Sequence, residues 1–185
     1  MNKRTSGFTL IELMIALSIF AILVFLALPM YADYMGNTQI RNAAENSLTG
    51  VRLAQTSAIK ANHLAKFVVD STGWAVYAWD DEAAPADFAV ASVQSYRFAE
   101  GASQISPPTP TPGGATTVTF DGLGRVVANT DASASLTQLE VTNIHVVNPR
   151  KLRLLISGIG GNTGIKLCDP DPGVAADDPR VCPAP

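Results

Sequence analysis

The sequence predicts an α+β fold, with one long N-terminal helix whose first half spans a membrane and whose second half packs on a mostly antiparallel β head. Three observations lead there. Residues Phe8 to Leu28 read FTLIELMIALSIFAILVFLAL, an apolar run in which Glu12 is the only ionisable side chain. Ile40, Ala44, Leu48, Val51, Ala54 and Ala58 then recur at steps of three or four, which makes one apolar face of a continuing helix. From Lys66 onward, short β-prone segments alternate with clusters of Gly, Pro, Asn and Asp. The 185 residues, 47% hydrophobic and 16% charged, suit one globular core plus an appendage.

The apolar run has the length of one bilayer crossing, about 20 residues at about 1.5 Å rise. Lys3 and Arg4 precede it with no compensating acid, which holds the N-terminus in the cytoplasm and sends the remainder outward. A secretory signal would have a shorter apolar region followed by a small-residue cleavage site, whereas Pro29-Met30-Tyr31 follows this one. A plain anchor explains the length but not Glu12, since a carboxylate at mid-bilayer costs about 2.5 to 3.5 kcal/mol even on insertion scales. A partner becomes available if the chain is cut between Gly7 and Phe8. The new α-amino group is then a cation that the Glu12 of a neighbouring copy can meet in lipid. The first turn is also where the helix dipole favours an anion.

Pro29 lacks a backbone donor and crowds the preceding turn, so a kink or local melting is expected where the stem leaves the membrane. Asn62-His63 interrupts the helical pattern. KFVVD and WAVYAW, joined through Asp70-Ser71-Thr72-Gly73, then form a β-hairpin on which the apolar helix face packs. Further strands are expected at Ser95 to Phe98, Thr116 to Phe120, Arg125 to Ala128, Leu139 to Val147, Leu152 to Ile156 and Ile165 to Leu167. The four prolines of SPPTPTPGG, Ser106 to Gly114, cannot donate to a ladder, so this stretch reads as an exposed connection or edge loop. No internal repeat and no second compact domain are visible.

No active site is apparent, and neither a cofactor nor a resident metal is expected. His63 and His145 are far apart, with no Cys or carboxylate at ligand spacing. SGIGGNTG, Ser157 to Gly164, has Thr163 where a dinucleotide loop needs its third glycine and is followed by no GK[ST], so it reads as a turn. Asp169, Asp171, Asp177 and Asp178 could offer oxygens to calcium, but their spacing is not that of an EF-hand and Asp-Pro pairs suit turns. Cys168 and Cys182 both lie near the C-terminal end of the sequence, where a bridge would staple the tail and imply an oxidising compartment. Closing a loop of about 15 residues is worth about 3 kcal/mol in the chain-entropy model.

The formal charge is -3, from 13 basic and 16 acidic residues, and removal of Lys3 and Arg4 would leave 11 against 16, a net -5. An acidic chain does not invite nucleic acid. Arg150, Lys151 and Arg153 form the one dense basic cluster of the head, read first as a solvated strand end and second as a nucleic-acid contact.

The segment KRTSGFTLIELMIALSIFAIL resembles the class III signal of type IV pilins and of the pseudopilins of type II secretion. The resemblance implies cleavage after Gly7 by a prepilin peptidase, N-methylation of Phe8, and a Glu12 that aids docking into a growing filament. TVTFDGLGRVV and the stem segment IRNAAENSLTGVRLAQTSAIKANH further resemble the GspH/FimT family. That likeness implies a pilin-like fold and a minor, non-enzymatic subunit of the FimU and FimT type. Such a subunit sits at or near the tip of a pilus or pseudopilus and primes or caps assembly with other pilins through its N-terminal helix.

The closing LCDPDPGVAADDPRVCP resembles the disulfide-closed tails of pilus-side members, which places the type II secretion pseudopilus second. DNA-receptor members of the FimT type carry a Gly-Arg-x-Arg pattern, and the comparable stretch here is Gly164-Ile165-Lys166-Leu167, without either arginine. The expected organisation is a leader over residues 1–7, a transmembrane and polymerisation helix over 8–29, an amphipathic half-stem over 30–62 and a β-rich periplasmic head over 63–185. The expected location is the inner membrane, crossed once, and then the filament.

Overall fold

The computed structural model describes residues 7–82, 87–158, 163–171, 173 and 178–183. One helix, α1 (Leu10–Ala61), runs through both halves of the stem. It starts at Thr9, whose hydroxyl accepts the Glu12 N–H at 3.3 Å, and ends at Asn62, a left-handed residue (φ 50°) whose N–H returns to the last turn. The expected melting at Pro29 does not occur, and α1 is unbroken there. Proline withholds a single donor, the one owed to the carbonyl of Phe25, and the flanking turns of strong helix formers carry the helix across.

The head contains two antiparallel sheets. In the first, β1 (Ala65–Val69), β2 (Gly73–Asp80), β6 (Thr117–Phe120) and β7 (Val126–Val127) are joined by β3 (Asp87–Phe88) and β4 (Gln94–Arg97) in the order β3-β2-β1-β6-β7, with β4 also on β2. In the second, β5 (Thr109–Thr111), β8 (Gln138–Val141), β9 (Leu152–Ser157) and β10 (Gly164–Cys168) follow the order β10-β9-β8-β5. The hairpin of β1 and β2 pairs Val69 with Trp74 across its turn. There the Asp70 carboxylate accepts the Thr72 hydroxyl and the N–H groups of Thr72 and Gly73.

The apolar stripe of α1 seats the stem on the head. Ile40, Ala44, Val51, Ala54 and Ala58 are fully buried, and Leu48 packs at the edge of the same core. Ala43, Ser47 and Gly50 line the stripe with small side chains, which lets Phe67, Trp74, Val76, Val118 and Phe120 approach the helix closely. By contrast, every described residue up to Ala32 is exposed.

Strand β3 lies outside the strands expected from the sequence, and two further segments differ from that expectation. The strand expected over Leu139 to Val147 stops at Val141. Asn143 turns the chain there, its side-chain oxygen accepting the His145 N–H at 2.9 Å, and this local bond replaces a ladder bond. The proline-rich stretch is not wholly a loop, because Thr109–Thr111 forms strand β5, with Pro110 opposite Leu139. It lies at the sheet's edge, where a residue without an N–H leaves no inner partner unsatisfied.

Candidate functional site

The N-terminal end of the stem is the candidate site. Gly7, Phe8 and Thr9 precede the helix, so the Gly7–Phe8 peptide lies in non-helical, exposed chain, the form in which a protease can take hold of a backbone. Phe8 is 84% exposed. Glu12 stands in the first turn, three residues after the capping Thr9. Hydropathy and charge alone pass over Thr9, although the T-x-x-E spacing of a capping box is legible at Thr9-Leu10-Ile11-Glu12. Around and beyond Glu12, Leu10, Ile11, Leu13, Met14 and Ile15 are all more than half exposed, so the helix is apolar on every side. Such a surface is stable in lipid or against other helices, and an isolated carboxylate on it asks for a cation.

The remaining candidates lie in the head, far along the stem. Cys168 and Cys182 are joined by a disulfide, with S–S 2.07 Å. Cys168 lines a cleft of about 620 Å³ between α1 and the second sheet, where Arg41, Arg150 and Arg180 meet Glu45 and Asp169. Arg150 thus lines the same cleft as Cys168, apart from its sequence neighbours Lys151 and Arg153. Lys151 and Arg153 turn instead to Glu140, with Arg153 Nη2 at 2.8 Å from one carboxylate oxygen and Lys151 Nζ at 3.8 Å from the other. Two of the three cluster cations are therefore held in internal pairs.

The acidic tail is likewise satisfied locally. Asp178 takes the Arg180 guanidinium at 2.6 Å, and those hydrogen bonds pull its carboxyl down to about 2. Asp171 accepts the Gly173 N–H, Asp169 accepts the Asp171 N–H, and Asp177 lies outside the described residues. Among the described residues, no three His, Cys, Asp or Glu side chains gather as a metal would require. His63 does meet a carboxylate in space, its Nε2 lying 3.3 Å from Asp81, while its ring stacks on Trp79. Of SGIGGNTG, residues 159–162 lie outside the described chain, as do Lys3 and Arg4.

Residues 2–28 match the model of the prokaryotic N-terminal methylation motif, and residues 43–174 match that of the type II transport protein GspH. The chain belongs to the GspH family. Among curated relatives, this GspH-family chain is 44% identical over 57 residues to a fimbrial protein of Pseudomonas aeruginosa, a stretch covering 31% of this chain and 36% of that one. It is 51% identical over 43 residues to the type IV major pilin protein PilE1 of Neisseria gonorrhoeae, covering 23% and 26%. These matches span about a third or less of the relatives' own length. A solved structure with a similar course is that of the type IV minor pilin FimU of P. aeruginosa, with TM-score 0.47 and 11% identity over 72% of this chain and 92% of that one. In this GspH-family chain the methylation motif runs to the end of the apolar run at Leu28, and the GspH match runs from Ala43 through the rest of the buried stem and most of the β head.

Proposed function

We propose that this GspH-family chain is a minor type IV pilin, a structural rather than enzymatic subunit that primes or caps filament assembly at the tip. The observation that carries the reading is the stem's first turn, where a single carboxylate, Glu12, follows an accessible Gly7–Phe8 bond on a helix otherwise apolar on all sides. In this reading a prepilin peptidase cuts after Gly7 and Phe8 is N-methylated. The Phe8 ammonium of one subunit pairs with Glu12 of another as the stems bundle. Residues 8–29 cross the inner membrane once and residues 63–185 stand in the periplasm until the stem is drawn into the filament. The experiment is deletion of the gene with complementation by wild type and E12V. Loss of surface pili in the deletion and its persistence with a processed E12V protein support the reading, and full piliation with E12V removes Glu12 from the mechanism.

A second reading, a minor pseudopilin of a type II secretion system, is favoured by the family's description as a type II transport protein. It is distinguished by the same deletion, which would then abolish exoprotein secretion and leave surface pili in place. The DNA-receptor reading draws on Arg150, Lys151 and Arg153, of which two are engaged by Glu140. A salt-dependent shift of DNA by the purified protein, weakened by R150A or R153A, would revive it.

A further inference from the structure

The turn that replaces the end of the expected strand carries two large apolar side chains in the open, Ile144 at 78% and Val147 at 82% exposure. Its placement is fixed by three contacts with the stem. The Val147 N–H donates to Asp33 at 3.4 Å and the Arg150 N–H to Asn37 at 2.8 Å. Between them Val146 packs over Gly36 so closely that a Cβ there would overlap its methyl group. Asn143, fully buried, closes the turn from within. Among the described residues, the bond from Val147 to Asp33 is the head-to-stem hydrogen bond nearest the membrane-spanning run.

That position has a depth. Asp33 stands five residues beyond Leu28, the last apolar residue of the run, which is about 7 Å along a helix. The polar layer on each face of a bilayer is about 5 to 8 Å thick. Val147 is therefore held at the level of the lipid headgroups of the bilayer that the stem crosses. Tyr31 and Tyr34, 63% and 67% exposed, stand on α1 at the same level, as aromatic residues do at membrane boundaries. We propose that the turn from Asn143 to Arg150 is a membrane foot of the head, with Ile144 and Val147 set into the outer interface of the inner membrane while the subunit awaits assembly. The partner is a lipid surface, and the foot fixes how the head stands over it before the stem is withdrawn. The inference rests on the reading of residues 8–29 as a membrane span.

The test uses the full chain reconstituted in phosphatidylethanolamine and phosphatidylglycerol vesicles, with a polarity-sensitive fluorophore at V147C, at I144C, at L123C and at L23C. No described cysteine is free to compete for the label. Leu123 is also exposed, at 70%, but its turn is tied to Gln55, about 33 Å further along the stem. Nitroxide carried at the lipid headgroup or upper acyl chain should quench V147C and I144C several-fold more than L123C, with blue-shifted emission at both. Quenching at L23C with none at 144 or 147 leaves the span standing and overturns the foot. No quenching at L23C overturns the span reading and the foot together. Quenching that disappears on dilution to one copy per vesicle would show that another copy covers the turn, and would also overturn the foot.

Discussion

Gly50 of the stem lies so close to Trp74 of β2 that a Cβ at position 50 would sit 2.8 Å from the indole Cδ2 and equally near the ring of Phe67. The absence of a side chain at this one position of α1 sets how near the helix comes to the sheet. Replacement by Ala would require both rings to shift, and replacement by Val would require the helix to lift. G50V should destabilise the head by about 1 to 3 kcal/mol, the usual cost of overpacking a dense core. Thermal unfolding followed by Trp fluorescence in detergent is the measurement, and an unchanged midpoint would contradict the close approach.

Glu12 and Thr9 make separable contributions at the start of α1. T9A should fray the first turn, costing about 1 kcal/mol of local helix stability, while leaving the carboxylate in place. E12Q keeps the shape but removes the charge. Incorporation into filaments should fall severely with E12Q and mildly with T9A, with leader cleavage retained in both. Immunoblots of sheared filaments against whole cells report the first quantity, and the mobility of the processed band reports the second.

The bridge between Cys168 and Cys182 closes a loop with a sequence separation of 14. Its removal by C168S/C182S should lower stability by up to about 3 kcal/mol. Because β10 ends at Cys168 and, among the described residues, pairs only with β9, the second sheet should loosen first. Hydrogen exchange over residues 164–168 should accelerate more than exchange in β1 and β2.

Asp70 provides a pH-dependent contribution. The Thr72 hydroxyl bond holds its carboxyl below the usual carboxylate value, burial opposes this, and the N–H groups of Thr72 and Gly73 add to the lowering. A group whose folded pKa is depressed stabilises the protein above its unfolded pKa, and that contribution fades as pH falls through the folded value. D70N should therefore be less stable than wild type at neutral pH. The gap should narrow in strong acid, read as denaturation midpoints of the two proteins across the acid range.

The regions where the sequence is most legible are those governed by local pattern. The stripe from Ile40 to Ala58, the hairpin around Asp70 and the apolar run each announce themselves by spacing or turn chemistry, and each has its expected place in the fold. What is not legible depends on partners distant in sequence. Thr109 to Thr111 becomes a strand only because Leu139 lies opposite Pro110. Strand β8 does not continue past Val141, and Thr142 already lies outside it. Asn143 there accepts the N–H of His145, two residues on, and Gly36, over a hundred positions earlier, leaves a niche for Val146. The pairing of Arg153 on β9, and of Lys151 just before it, with Glu140 on β8 is equally non-local, and it turns an apparent basic patch into a partly neutralised one. At the candidate site Thr9 is the residue hardest to see in the sequence, since it bears no charge and acts only through the cap it makes for the turn that holds Glu12.

The unbroken course of α1 through Pro29 bears on mechanics. A pull on the head would travel along one continuous helix toward Leu10. Its column of hydrogen bonds lacks a single link, at the carbonyl of Phe25. Under tension the stem should yield first there, lengthening at the end of the apolar run while the segment clamped against the sheets keeps its form, so that a force-extension trace would show a short compliant step before the head itself unfolds.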